Sequence, residues 1–128
     1  TGDAGVRALH EAADFADSIG LSLKEKATIV QVPHHGSRHN VSTTALDRVI
    51  GERLPHGTAP TRQAIASVGK TCETHPRQTV VNAFIRRGFK VAKTHGTGAL
   101  YRINAPARPG WDNPIPTLSF VDKVEAWE

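Results

Sequence analysis

Short apolar runs alternate with longer segments of helical period along this chain, and that alternation limits its fold more than any other feature. "ATIVQVP" (27–33), "QAIASVG" (63–69) and "FKVAKT" (89–94) have the length and apolar content of buried strands. Residues 4–19, "AGVRALHEAADFADSI", place Val6, Leu9, Ala13 and Ala16 on one stripe, with Phe15 and Ile19 to one side. Asp3 stands as the N-cap of that helix and Gly20 as its stop. "STTALDRVI" (42–50) reads as a second helix, capped by Ser42, with Ala45, Leu46, Val49 and Ile50 inward. "HPRQTVVNAFIRRG" (75–88) reads as a third, with Pro76 at its first position, Val80, Val81, Phe84 and Ile85 on its apolar face and Gly88 at its end. Helix–strand–helix–strand–helix–strand implies an α/β layer fold with the helices on one face of the sheet. The other sheet face is expected to be apolar and bare, which implies a second layer outside this sequence.

The connecting segments are less regular. Residues 51–62, with two prolines and two glycines, read as an exposed loop. "GALYRI" (98–103) reads as a further strand after the turn "HGTG". Residues 104–116 are proline-rich and irregular, with Trp111 expected to dock on the core. "TLSFVDKVEAW" (117–127) reads as a short closing strand or helix. The chain thus divides into a main unit, 1–103, and a C-terminal extension, 104–128, packing on it.

A length of 128 residues suits one domain, and 38% hydrophobic with 22% charged residues is ordinary for a globular protein. No apolar run approaches the roughly 20 residues of a membrane span, and the opening "TGDAGVRALHEAADF" does not read as a signal peptide. The expected compartment is the cytoplasm. The single Cys72 excludes an internal disulfide. The sequence contains no methionine, so residue 1 is not expected to be a translation start, and the chain reads as part of something longer. The net charge of +4 favours anionic partners, but it is spread along the chain rather than gathered in a basic block.

Chemistry is concentrated in the histidines. Of seven, His34, His35, His75 and His95 fall at or just after predicted strand ends or helix starts. In an open α/β sheet that edge is where sites form. Imidazole is a common zinc ligand and carboxylate its usual companion. Each residue also has a plainer reading. Asp3 fits a helix N-cap, "HHGS" a polar turn, His75 a helix flank and Lys70 a solvated charge.

The order "TGDAG", "ATIVQVPHHGS", "TTALDRVI", "AIASVG", "THP" and "FKVAKTHGTGALYRI" resembles the C-terminal half of metallo-β-lactamase-fold hydrolases. It looks most like the branch found in bacterial DNA-uptake competence proteins, and it covers residues 1 to about 103. The resemblance implies half of an αββα sandwich, with the N-terminal half outside this chain. It implies that Asp3 bridges two metal ions held about 3.5–4 Å apart. His34, the first residue off the strand, would be the last metal ligand, with His35 supporting it or touching substrate. His75 matches the family's His-Pro histidine near the substrate and is the candidate catalytic residue. Ser37, Ser67, Lys70 and Thr94 fall on the same rim as candidate substrate contacts. Two Zn2+ ions, or Mn2+ in their place, are the implied cofactors.

The family's main metal motif, His-x-His-x-Asp-His, belongs to the N-terminal half and occurs nowhere in these residues. Catalytic zinc sites ordinarily use three protein ligands each, so the chain alone is expected to be inactive. The implied function is part of a metal-dependent phosphodiesterase or nuclease acting through metal-activated water, its partner being the other half of the domain on the same or another chain. The alternative is a non-catalytic nucleic-acid- or protein-binding domain that kept the scaffold. Against direct nucleic-acid binding stands an aromatic content of 5%, which leaves few stacking platforms.

Overall fold

The computed structural model describes residues 2–102, 104–111 and 116–125. The fold is α/β, a four-stranded open sheet with helices packed on it. Strands β1 (Ile29–Gln31), β2 (Arg62–Ala66) and β3 (Phe89–Lys93) run parallel in that order, and β4 (Thr117–Leu118) closes the far edge antiparallel to β3. The register aligns Val30, Ala64, Val91 and Leu118 across one face.

Helix α1 (Val6–Ser18) buries Leu9, Ala13 and Ala16, while Phe15 and Ile19 stay exposed. It ends at Gly20, where the Gly20 and Leu21 N–H groups bond back to the Asp17 and Ala16 carbonyls. Its N-cap is Gly5, with no side-chain cap bond, so Asp3 does not cap it. A short helical turn, α2 (Leu23–Lys26), follows. Helix α3 (Thr43–Ile50) starts as its sequence implies, the Ala45 N–H donating to Ser42 Oγ at 3.1 Å. Helix α4 (Gln78–Ile85) begins two residues later than Pro76 suggested. Arg77 is its N-cap in extended backbone, and Pro76 precedes it across a cis His75–Pro76 bond.

The core lies between the sheet and α3 and α4. Val32, Leu46, Ile50, Ala64, Val81, Phe84 and Phe89 are each at most 3% exposed. Burying side chains of this size contributes roughly 1.5–3 kcal/mol apiece. Phe84 and Phe89 meet edge to face, 5.6 Å between centroids. Inside this layer Arg87, fully buried, donates to Asp47 Oδ1 through Nη2 at 2.5 Å and Nε at 3.1 Å, and to the Ala83 carbonyl through Nη1.

The opposite sheet face is not the bare apolar surface expected. Ile29, Gln31, Gln63, Ile65, Lys90 and Ala92 alternate on it by register, so polar and apolar side chains are mixed. Residues 98–102 form no strand. Ala99, Leu100 and Tyr101 instead lie over this face and enclose with Ile65 and Ala92 a cavity of about 220 Å³. Ile103 and residues 126 and 127 of the closing segment lie outside the described residues. Trp111 does not dock on the core. It is 44% exposed and stacks beneath the Arg108 guanidinium near Gly98. Residues 117–121 pack on the sheet and on α4, through β4 and through Gln78 and Asn82, which bond to the Ser119 and Val121 backbone.

Candidate metal centre at the strand ends

Because β1, β2 and β3 are parallel, their C-terminal ends share one edge, and the segments leaving them carry the histidines and hydroxyls singled out by sequence. After β1 the chain passes Val32 into a 3₁₀ turn, Pro33–Gly36. Within it His34 and His35 have φ of 43° and 55°, left-handed backbone that non-glycine residues adopt at a cost of about 1–3 kcal/mol. Such residues collect at functional sites.

The segment before α1 crosses this turn. The His34 N–H donates to the Gly2 carbonyl at 2.8 Å, and Asp3 follows directly. Asp3 Oδ1 then lies 3.7 Å from His34 Nδ1 and 4.0 Å from His35 Nε2. The two imidazoles meet edge to face, 5.7 Å between centroids. His35 Nδ1 lies 2.5 Å from the Ser67 carbonyl, an acceptor, so Nδ1 donates a proton there, and in the neutral tautomer this contact selects, Nε2 holds the lone pair. All three side chains remain substantially exposed.

His75 is brought to the same edge by backbone packing. Gly36, at φ +90°, lies flat against Pro76 and accepts the Arg77 N–H at 3.0 Å. Burial, then the charges of Arg77, His34 and His35, hold His75 below the ordinary imidazole range. Its Nδ1 lies 3.0 Å from Thr74 Oγ1.

The rim residues differ from one another. Thr94 Oγ1 accepts from the Val68 N–H at 2.9 Å and donates to the Val68 carbonyl at 3.0 Å, tying the end of β3 to the segment after β2. Ser37 is buried, with its N–H on the His34 carbonyl. The Ser67 side chain is exposed beside the His35 contact, and the Lys70 stem packs against Gly96. His95 sits exposed in the turn after β3, and His56 packs edge to face on Phe120.

Sequence reasoning passed over Cys72. Its Sγ lies 3.7 Å from both His75 Nδ1 and Thr74 Oγ1. The Thr74 hydroxyl first, then the His75 and Thr74 backbone and the Lys93 charge, hold its thiol below its usual range. The Cys-x-x-His spacing was the available signal. Among the described residues no three His, Cys, Asp or Glu side chains converge into a group able to hold a metal ion, and no helix is long and apolar enough to cross a membrane. No family model, no curated protein and no solved structure matches this chain.

Proposed function

We propose that Asp3, His34 and His35 form one side of a hydrolytic metal centre whose remaining ligands come from outside these 128 residues, as in the C-terminal half of a metallo-β-lactamase-fold hydrolase. The observation that carries this reading is the bond from His35 Nδ1 to the Ser67 carbonyl. Metal-ligating histidines characteristically donate their second ring nitrogen in this way, which fixes the ring and the tautomer. His35 Nε2 is left facing the Asp3 carboxylate, so His35 is favoured over His34 as the ligand off this strand. His34 then supports Asp3 or meets substrate. The left-handed backbone at both histidines supports a functional rather than a structural origin.

Zn2+, with Mn2+ as the alternative, fits a donor set of imidazole and carboxylate. When bound it supplies water acidified to a pKa of about 7. Asp3 would orient that water and bridge the site. His75, neutral at pH 7, would orient the substrate through a free ring nitrogen or accept a proton from it. The net charge of +4 and Lys70 at this edge favour an anionic substrate, and a phosphodiester of nucleic acid is the class proposed.

A zinc titration followed through the histidine ring resonances tests the reading. Shifts at His35 are expected, lost in His35→Ala and weakened in Asp3→Asn. If His35→Ala takes up zinc as the parent chain does, the site is wrong. The alternative is a non-catalytic nucleic-acid- or protein-binding domain that kept the scaffold. It requires nucleic-acid binding that His35→Ala leaves unchanged.

A further inference from the structure

His75 meets side chains of its own segment at the histidine edge. The chain turns after β2, where the Cys72 N–H donates to the Gly69 carbonyl at 3.0 Å. Cys72, Thr74 and His75 then bring three polar atoms together. Thr74 Oγ1 lies 3.0 Å from His75 Nδ1, and Cys72 Sγ lies 3.7 Å from both. The first distance is that of an ordinary hydrogen bond, and the other two belong to the weaker contacts that sulfur makes.

A neutral imidazole has one N–H and one lone pair, and a hydroxyl has one proton, so this triangle can be wired in two ways. In the first, the Thr74 O–H donates to the Nδ1 lone pair, and the Cys72 S–H donates to Thr74 Oγ1. In the second, Nδ1 carries the proton and donates to Thr74 Oγ1, and the hydroxyl proton turns to sulfur or to water. The first gives the hydroxyl proton the ring nitrogen as its acceptor, whereas the second gives it sulfur, a weak one. The histidine ring also favours Nε2–H intrinsically, so both effects select the first wiring. Burial, then the charges of Arg77, His34 and His35, keep the ring neutral at pH 7, the state in which the choice between tautomers exists.

His35 is the opposite case. Its Nδ1 donates to the Ser67 carbonyl, which leaves the lone pair on Nε2. The edge therefore holds two imidazoles wired in opposite senses, one suited to a metal ion and one suited to an anion.

We propose that Thr74 is a positioning residue that holds His75 in the Nε2–H tautomer, so that His75 meets an anionic oxygen of the substrate as a hydrogen-bond donor. In this wiring Nε2 has no lone pair, and His75 orients the substrate rather than serving as its base. The role toward substrate rests on the hydrolytic reading, and the tautomer does not.

Two-bond 1H–15N correlation of the histidine rings, in the labelled 128-residue chain at pH 7.5 without added metal, reads each nitrogen directly. His75 is expected to show a protonated Nε2 and an unprotonated Nδ1 displaced by hydrogen bonding. Thr74 is exposed, so Thr74→Val removes the hydroxyl and leaves the core untouched. In that variant the Nδ1 resonance is expected to move to the position of an unbonded lone pair, with Nε2 protonation falling toward the mixture of a solvated ring. Thr74→Ser is expected to keep the parent pattern. A protonated Nδ1 in the parent chain overturns the proposal, and so do His75 resonances indifferent to Thr74→Val. A failed zinc titration at His35 overturns the hydrolytic reading alone, since no metal enters these measurements.

Discussion

Gly36 and Pro76 are in direct backbone contact, so close that a β-carbon on Gly36 would lie 2.7 Å from the proline Cα. Gly36 is also at φ +90° and receives the Arg77 N–H. This one packing point holds the turn carrying His34 and His35 against the segment carrying His75. Gly36→Ala combines a left-handed alanine with overpacking against backbone and is expected to cost about 2–4 kcal/mol. Chemical denaturation measures the loss, and a variant as stable as the parent would mean that the contact yields easily.

His34 stands at φ 43° with an imidazole that makes no hydrogen bond as close as the one His35 makes to Ser67. His34→Gly relieves a left-handed side chain worth about 1–2 kcal/mol and incurs about 0.5–1 kcal/mol of backbone entropy. The folded state is expected to be unchanged or slightly more stable. A clear destabilisation in a denaturant series would show that the His34 ring itself holds the fold together, contrary to a functional origin.

Thr94 was expected on the substrate rim, and its hydroxyl is engaged on both sides by Val68. Thr94→Val strips a partner from the Val68 N–H and carbonyl and is expected to cost about 1–3 kcal/mol. Hydrogen exchange at Val68 should rise in the variant. Unaltered exchange and stability would return Thr94 to the list of groups free to meet substrate.

The depressed His75 has a pH signature with a definite sign. Its native state favours the neutral ring, so its contribution to stability is fully present above the ordinary imidazole pKa of 6.5 and is lost as pH falls from there through the lower folded value. The denaturation midpoint should therefore fall between pH 7.5 and 5 by more in the parent chain than in His75→Asn. Equal losses in the two proteins would assign the acid sensitivity to His34, His35 or another group.

Asp47 is the counter-charge of a guanidinium with no exposure of its own. Asp47→Ala leaves Arg87 buried and unpaired. A loss of about 3 kcal/mol is expected, the low end for breaking a buried pair, because a third of the Asp47 side chain is exposed. The double variant Asp47→Ala, Arg87→Met should recover much of it. If it recovers nothing, the bond from Arg87 to the Ala83 carbonyl carries the stabilisation instead.

Most of the layer pattern was legible because it is written locally. The periodicity of α1, α3 and α4, the Ser42 cap and the Gly20 and Gly88 stops all depend on neighbours within a few residues. What was not legible depends on distant partners. Pro76 reads as a helix start in one dimension, but its ring is placed by Gly36, forty residues earlier, and the helix waits until Gln78. Asp3 has the right residue type for a cap, but the His34 backbone draws its segment across the strand ends. "GALYRI" has strand composition without a free strand position beside β3, since residues 117 and 118 occupy it. The candidate site showed the same division. The motif order placed Asp3, His34, His35 and His75 at one edge, whereas the Ser67 contact that distinguishes His35 from His34 joins residues 32 apart.

Strand β1 has β2 on one side and, among the described residues, no strand on the other, so it is an edge strand of the sheet. At the far side the two-residue β4 leaves little length to copy. The two edges of the sheet therefore differ, a parallel three-residue strand at one and an antiparallel two-residue strand at the other. The turn that carries His34 and His35 follows edge strand β1 directly, after Val32. The place of the histidine turn is thus set by the sheet itself: the parallel register of β1 on β2 fixes where the strand stops and the turn begins.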